Sequence, residues 1–435
     1  MKTIIKNITI TFLFLILASA TFAQVPAPAS AQEKGIVLLG ATAHLGTGEV
    51  IENSAIAFDK GTLTFVGKTS ELGNDFSDYK TIDVSGKQVY PGLILLRSQL
   101  GLVEIGGVTA TLDKEETGVL NPSVRSCVSY NTDSEIIPVV RSNGVLLAQV
   151  IPQGGILCGL SSVMNLDAWN YKDALYNTDE GMWLSWPSYY HSSGGFGSIS
   201  TTSENKSYAK SVEKLESVFT NAKVYTGSPV NSKLAAMQGL FDGSTILYIQ
   251  ADDVKSVIES ITFAKKMGVK KIVLADADED ALLVKDFLKE NDIPVICAHV
   301  HRLPKRNDIY TKAPDEMAVK FTEAGILTAV TFIGEEKCMN LPFVAGQAVA
   351  FGMSKEEALK TITLNAAKIL GIDDRAGSLE VGKDAHVVVS DGDLLDMRTS
   401  KVRLAYINGR EINLTNKHKK LYHKFAEKYG QEIIE

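Results

Sequence analysis

Between residues 35 and 90, apolar residues come in short runs cut by turn residues: Ile36 to Leu39, Ala55 to Phe58 before Asp59-Lys60-Gly61, and Leu63 to Val66 before Gly67. Runs of this length between such breaks predict a small antiparallel sheet. The same texture returns in His386 to Val389, ahead of Asp391-Gly392-Asp393, and in Leu404 to Ile407, ahead of Asn408-Gly409. One β module is therefore expected to draw on both chain ends, residues 35–90 plus 376–413.

Between these ends the period changes from two to that of alternating strands and helices. Thr245 to Ile249 is strand-like, and Val254, Val257, Ile258, Ile261 and Ala264 share one face of a helix over Asp253 to Met267 that Gly268 stops. Strands over Lys271 to Ala275, Ile293 to Cys297 and Ile326 to Phe332 alternate with helices over Asp280 to Glu290 and Glu316 to Ala324. Ser354 and Glu357 form a capping box for a further helix ending at Gly371. Repeating units of this kind fold as parallel βαβ, and over residues 91–375 a closed (β/α)8 barrel is expected. Residues 152–206 fit the repeat poorly and hold all three tryptophans, Trp169, Trp183 and Trp186, so they read as an insertion over one barrel end. These rings are substrate-binding candidates, or else the insertion's own small core. Residues 414–435 carry Leu421, Tyr422, Phe425 and Tyr429 at helical spacing among lysines, a surface helix.

Composition narrows the partners. The 435 residues are 45% hydrophobic and 22% charged, ordinary values for a folded chain. With a net charge of −7 there is no basic excess for a nucleic-acid backbone. Cys127, Cys158, Cys297 and Cys338 are scattered without a metal or disulfide pattern. Lys2 and Lys6, the apolar stretch Ile8 to Leu17 and the small residues around Thr21-Phe22-Ala23 have the order of a cleaved signal peptide, residues 1–23. An exported, periplasmic protein with no membrane attachment after processing is expected, its residues 24–34 forming a linker.

Val89-Tyr90-Pro91-Gly92-Leu93-Ile94, Leu364-Asn365-Ala366-Ala367-Lys368-Ile369-Leu370-Gly371 and Gly377-Ser378-Leu379-Glu380-Val381-Gly382-Lys383-Asp384-Ala385 resemble the amidohydrolase superfamily, specifically its imidazolonepropionase-like group. The resemblance implies a metal-dependent-hydrolase barrel with a small composite β-sandwich. It also implies hydrolysis of C–N bonds by a water bound to one or two divalent metals, usually zinc. The family's first two histidines fall at Arg97 and Gln99 here, its third at Gln250, and its fourth near Ala275-Asp276, again without His. Arg97 has no lone pair to give a metal. The family's catalytic Asp belongs around Thr331 to Gly334, where none occurs, although Glu335 and Glu336 follow.

Two classes of function follow. In the favoured one the chain is a pseudoenzyme that needs no cofactor, binds a small molecule in the barrel mouth or pairs with an active amidohydrolase. In the other it hydrolyses non-peptide or cyclic amide C–N bonds. A relocated zinc site would then use His299 and His301, two residues apart on an extended backbone, with Asp276 and Glu335. A metal-free site would use Glu335 or Asp276 as base and Arg97 as an electrostatic clamp. Against the relocated site, Asp278 stands where a helix cap belongs, and the His pair precedes a basic run, Arg302 to Arg306.

Overall fold

The computed structural model describes residues 26–193, 201–251, 253–298, 302–306 and 308–433. The expected signal peptide lies outside the described residues. Strands β1 (Ile36–His44), β2 (Val50–Asp59), β3 (Thr62–Lys68), β4 (Lys80–Asp83) and β5 (Gln88–Pro91) open the chain. Next come β6 (Leu93–Ser98), β7 (Val145–Val150), β8 (Leu157–Asn165) and β9 (Leu175–Ser185), a hairpin of β10 (Tyr190–Ser193) with β11 (Thr201–Glu204), then β12 (Ile246–Gln250), β13 (Ile272–Ala277), β14 (Val295–Cys297) and β15 (Thr328–Val330). The last three are β16 (Val387–Ser390), β17 (Val402–Ile407) and β18 (Arg410–Glu411).

Strands from both ends of the chain share one sheet, in the order β18-β17-β16-β5-β1-β2-β3 with β4 on β1. Its centre is the antiparallel pairing of β16 with β5, Val388 opposite Tyr90. The second sheet, ordered β15-β14-β13-β12-β9-β8-β7-β6, is a nearly closed eight-stranded barrel. At the seam, Thr331 Oγ1 donates to the Leu96 carbonyl at 2.5 Å. Inward-facing residues of all eight strands, among them Leu96, Leu147, Val163, Trp183, Tyr248, Val273, Ile296 and Ala329, make one buried cluster, which Ile369 and Leu370 of the helix Leu364–Leu370 join.

One strand departs from the expected parallel pattern: β8 runs antiparallel to both β7 and β9. The links on either side of it are too short for a crossover helix, so they close hairpins instead. Residues 152–206 are therefore not an insertion outside the repeat, because Leu157–Asn165 and Leu175–Ser185 are barrel strands. The helix expected from Ser354 to Gly371 is also interrupted, running Lys355–Thr361 and Leu364–Leu370. The break turns the Ile362 carbonyl toward β6, where it accepts from the Ile94 amide at 2.9 Å.

Candidate functional site

Alternation on β12 places Ile246 and Tyr248 in the barrel cluster and Leu247 and Ile249 in the outer core, so Gln250 ends the strand facing the mouth. Alternation alone does not account for its neighbours. On β6, Ile94 and Leu96 face inward, which would send Arg97 outward; on β13, Val273 and Ala275 face inward, which would do the same to Asp276. Both residues instead adopt positive φ, 53° at Arg97 and 59° at Asp276. That backbone region disfavours any residue with a side chain, so the turn is held by what the side chains meet. They meet each other: Arg97 Nε forms an ion pair with Asp276 Oδ1, with 9% and 11% of the two side chains exposed. Gln250 Nε2 donates to the other carboxylate oxygen at 2.6 Å. The structure thus brings Arg97, Asp276 and Gln250 into one group across three strand ends.

The group continues into the barrel. The Arg97 amide donates to Gln149 Oε1 at 3.1 Å, and Gln149 Nε2 donates to Glu180 Oε1 at 2.9 Å. Glu180 also accepts from Ser161 Oγ at 2.5 Å and from Tyr248 OH at 3.1 Å. Burial raises the Glu180 carboxyl above the usual range, against the pull of these three donors. The Tyr248 hydroxyl is pushed well up by burial and by the adjacent Glu180. Cys158, on the reversed strand, has its thiol raised to about 11 by burial, with Arg97 and the Ser185 backbone acting the other way. A thiol in that range is protonated and inert near neutral pH. Beside the mouth, the Nε2 of Gln99 is buried and has no partner among the described residues.

Glu180 was missed from sequence because Asp179-Glu180-Gly181 reads as a polar turn inside an apparent insertion. The available signal was the apolar stretch Met182-Trp183-Leu184 directly after it. The other expected residues are dispersed. Glu335 is half-buried, and among the described residues it makes no ion pair with Arg97, Asp276 or Gln250. His299 and His301 lie outside the described residues. Asp278 is a helix cap, accepting from the Asp280 amide at 3.0 Å and paired with Lys305. The basic run is clamped by the acids before it, Arg302 to Glu279 and Arg306 to Asp280 at 2.7 Å. The tryptophans do not line one pocket: Trp183 is in the barrel interior stacked on Tyr248 at 4.8 Å, Trp186 is in the outer core, and Trp169 is exposed.

A family model described as "Amidohydrolase family" matches residues 352–412. The imidazolonepropionase of Syntrophobacter fumaroxidans is 50% identical over 54 residues, 12% of this chain and 13% of that protein. That of Shewanella frigidimarina is 39% identical over 77 residues, 18% of this chain and 17% of that protein. These matches span under a fifth of the relatives' length. The solved amidohydrolase from Thermotoga maritima superposes with a TM-score of 0.76 at 21% identity, covering 87% of this chain and 99% of that one, which shows a common fold. The chain has the amidohydrolase fold, and over residues 352–412 it matches that family's model. Its short sequence similarity is imidazolonepropionase-like.

The residues in the family-model match have a structural explanation, because they build the junction between barrel and sheet. Gly377 has φ of 89°, and a Cβ there would sit 2.6 Å from that of Ala367. Asp384 accepts from Tyr176 OH at 2.7 Å and from Arg375 Nη2 at 2.8 Å. This part of the chain fixes the fold, and none of its residues belongs to the Arg97–Asp276–Gln250 group. The superfamily's chemistry implies a divalent metal at the strand ends, and the donor set here does not fit one. Arg97 brings a cation to the position, and both oxygens of Asp276 are taken by Arg97 and Gln250. Among the described residues no group of three or more His, Cys, Asp or Glu could hold a metal ion.

Proposed function

We propose that the chain is an exported amidohydrolase-fold protein that binds a small molecule at its barrel mouth and no longer runs metal-dependent hydrolysis there. The observation that carries this reading is the Arg97–Asp276–Gln250 group, which puts a paired guanidinium and an amide where metal ligands would stand. Two strand ends held at positive φ support a built site, since such strain persists where neighbours impose it. The donor of Gln99, buried and without a partner among the described residues, calls for an oxygen acceptor. The ligand class is therefore a small carboxylate or carbonyl compound.

The test combines metal analysis of the purified protein, a hydrolase screen on cyclic amides and dipeptides, and thermal shifts with a panel of small carboxylates. Metal well below one equivalent, no turnover, and a ligand shift that Arg97→Ala abolishes are expected. About one equivalent of zinc, lost together with a hydrolase activity in His299→Ala/His301→Ala, would overturn the reading in favour of a relocated active site.

A further inference from the structure

At the end of the barrel opposite the mouth, where β7 begins and the antiparallel β8 finishes, a second group of buried polar side chains is gathered. Arg141 ends the helix Ile136–Arg141 and is 3% exposed. Its Nη1 donates to Asp167 Oδ1 at 2.7 Å and to the Leu166 carbonyl at 3.0 Å. Its Nε and Nη2 are buried and have no hydrogen-bond partner among the described residues, and the same holds for the hydroxyl of Tyr130, a residue 5% exposed. Burial raises the Tyr130 hydroxyl, with Arg141 opposing the shift, so it stays an O–H donor. Both residues line a cavity of about 20 Å³, together with Asn165 and, from the start of the described chain, Pro26 and Pro28.

The charges here do not balance. Arg410 Nη1 also lies 3.5 Å from Asp167 Oδ2, so one buried carboxylate serves two guanidinium groups. Arg410 is 20% exposed and reaches water, whereas Arg141 does not. A buried cation with unused N–H groups is costly unless a counter-charge and acceptors meet it. Asp133, the acid among the residues lining the cavity, is exposed and makes no ion pair with Arg141 among the described residues. The chain is also tied down over this place. The Ala29 amide donates to Asp167 Oδ2 at 2.9 Å and Arg410 Nη1 donates to the Ala29 carbonyl at 3.0 Å, which holds Pro26 and Pro28, within the stretch expected as a linker, against the cavity.

We infer that Arg141 and Tyr130 form a buried binding site for a single halide ion, chloride under ordinary conditions. A guanidinium offers donors and no acceptor, and the tyrosine O–H completes a set of three that calls for an anion. A cavity of about 20 Å³ admits one water-sized particle, which excludes phosphate, sulfate and carboxylates. A water would fill the space, but it brings no charge, and its two lone pairs cannot accept from three donors. A halide meets all three and cancels the excess cation. The site stands apart from the Arg97–Asp276–Gln250 group and does not depend on what binds there. Its role is structural: the ion fixes Arg141 beneath residues 26–29 and so anchors the start of the folded chain to the base of the barrel.

The experiment pairs thermal melting with crystallography of the full chain in bromide. Melting is followed in sodium chloride against sodium isethionate at equal ionic strength, isethionate being too large for the cavity. A saturable rise in the melting temperature with chloride is expected, about 3 °C once chloride is about 100-fold above its dissociation constant. Tyr130→Phe removes one donor and leaves the ring in place, so the chloride concentration giving half the rise should increase about tenfold. Crystals grown in bromide should show an anomalous peak in contact with Arg141 Nε, Arg141 Nη2 and Tyr130 Oη. The position of that peak is read on the parent protein, so it decides the matter even where the variant folds poorly. Equal melting temperatures in the two salts overturn the proposal, as does a chloride response that Tyr130→Phe leaves within about twofold. Bromide found elsewhere, with a water between Arg141 and Tyr130, overturns it too.

Discussion

Glu180 is a carboxyl group inside an otherwise apolar barrel, and its three partners, Gln149, Ser161 and Tyr248, are all neutral donors. Without a cation to offset desolvation, the protonated form gains. For a carboxyl raised in the folded state, the stability it contributes is complete below its unfolded value of about 4.3 and is lost as pH rises through the folded value. Glu180→Gln removes the ionisable group and keeps one oxygen acceptor. The variant is expected to be more stable than the parent at pH 7 by about 1–3 kcal/mol, with the two converging near pH 4. Urea unfolding at both pH values measures this, and a variant less stable at pH 7 would mean the carboxylate is ionised and needed. At the same scale, a motif placed Arg97 and Gln250, and the sequence set Asp276 beside Arg97 as the base of a metal-free site, whereas the direct union of all three side chains was not legible. That union depends on two residues leaving strand alternation for positive φ, which no side-chain pattern reports.

The strand and helix alternation after residue 244 was legible because each helix there buries one apolar stripe and each strand is a continuous apolar run. Asp253, the expected start of one helix, does accept from the Ser256 amide at 3.0 Å, and Gly268 ends that helix at φ of 92°. What the pattern could not show is strand direction. Leu157–Asn165 is buried along its whole length, as a parallel barrel strand would be, yet it runs the other way because its links are short. Closure is likewise invisible in the pattern, resting on single side chains at the seam between β15 and β6. Thr331, fully buried, donates to the Leu96 carbonyl, and Asn365 Nδ2 donates to the Thr328 carbonyl at 2.9 Å. Thr331→Val keeps the shape and removes the donor, leaving a buried carbonyl short of a partner. A loss of about 1–2 kcal/mol is expected in urea unfolding at unchanged slope. A change within about 0.3 kcal/mol would mean that the apolar packing closes the seam unaided.

At the scale of the whole molecule, a buried histidine sits in the junction between the barrel and the two-ended sheet. His386 precedes β16, its carbonyl accepts from the Gly92 amide at 2.9 Å, and its Nε2 faces Asn165 Oδ1 at 3.1 Å at the far end of β8. Tyr176 packs edge-on against the ring at 5.4 Å. Burial lowers the imidazole from its ordinary value to about 4, with Asp384 opposing the shift and Arg375 adding to it. A histidine depressed in the folded state contributes stability that is complete above its unfolded value of about 6.5 and is lost as pH falls through the folded value. The window is therefore pH 6.5 to 4, and the full contribution is about 3 kcal/mol. Because the ring touches both bodies, charging it should loosen the junction before either core. His386→Gln retains a donor toward Asn165 and cannot titrate. It is expected to flatten the decline in unfolding free energy between pH 6.5 and 4 by about that amount, while costing less than the parent loses. Protection of the amides of β5 and β16, taken relative to the intrinsic exchange rate at each pH, should fall with acid in the parent and stay level in the variant. Equal acid sensitivity in the two proteins would place the switch elsewhere, with Asp384 and its Arg375 and Tyr176 contacts next in line.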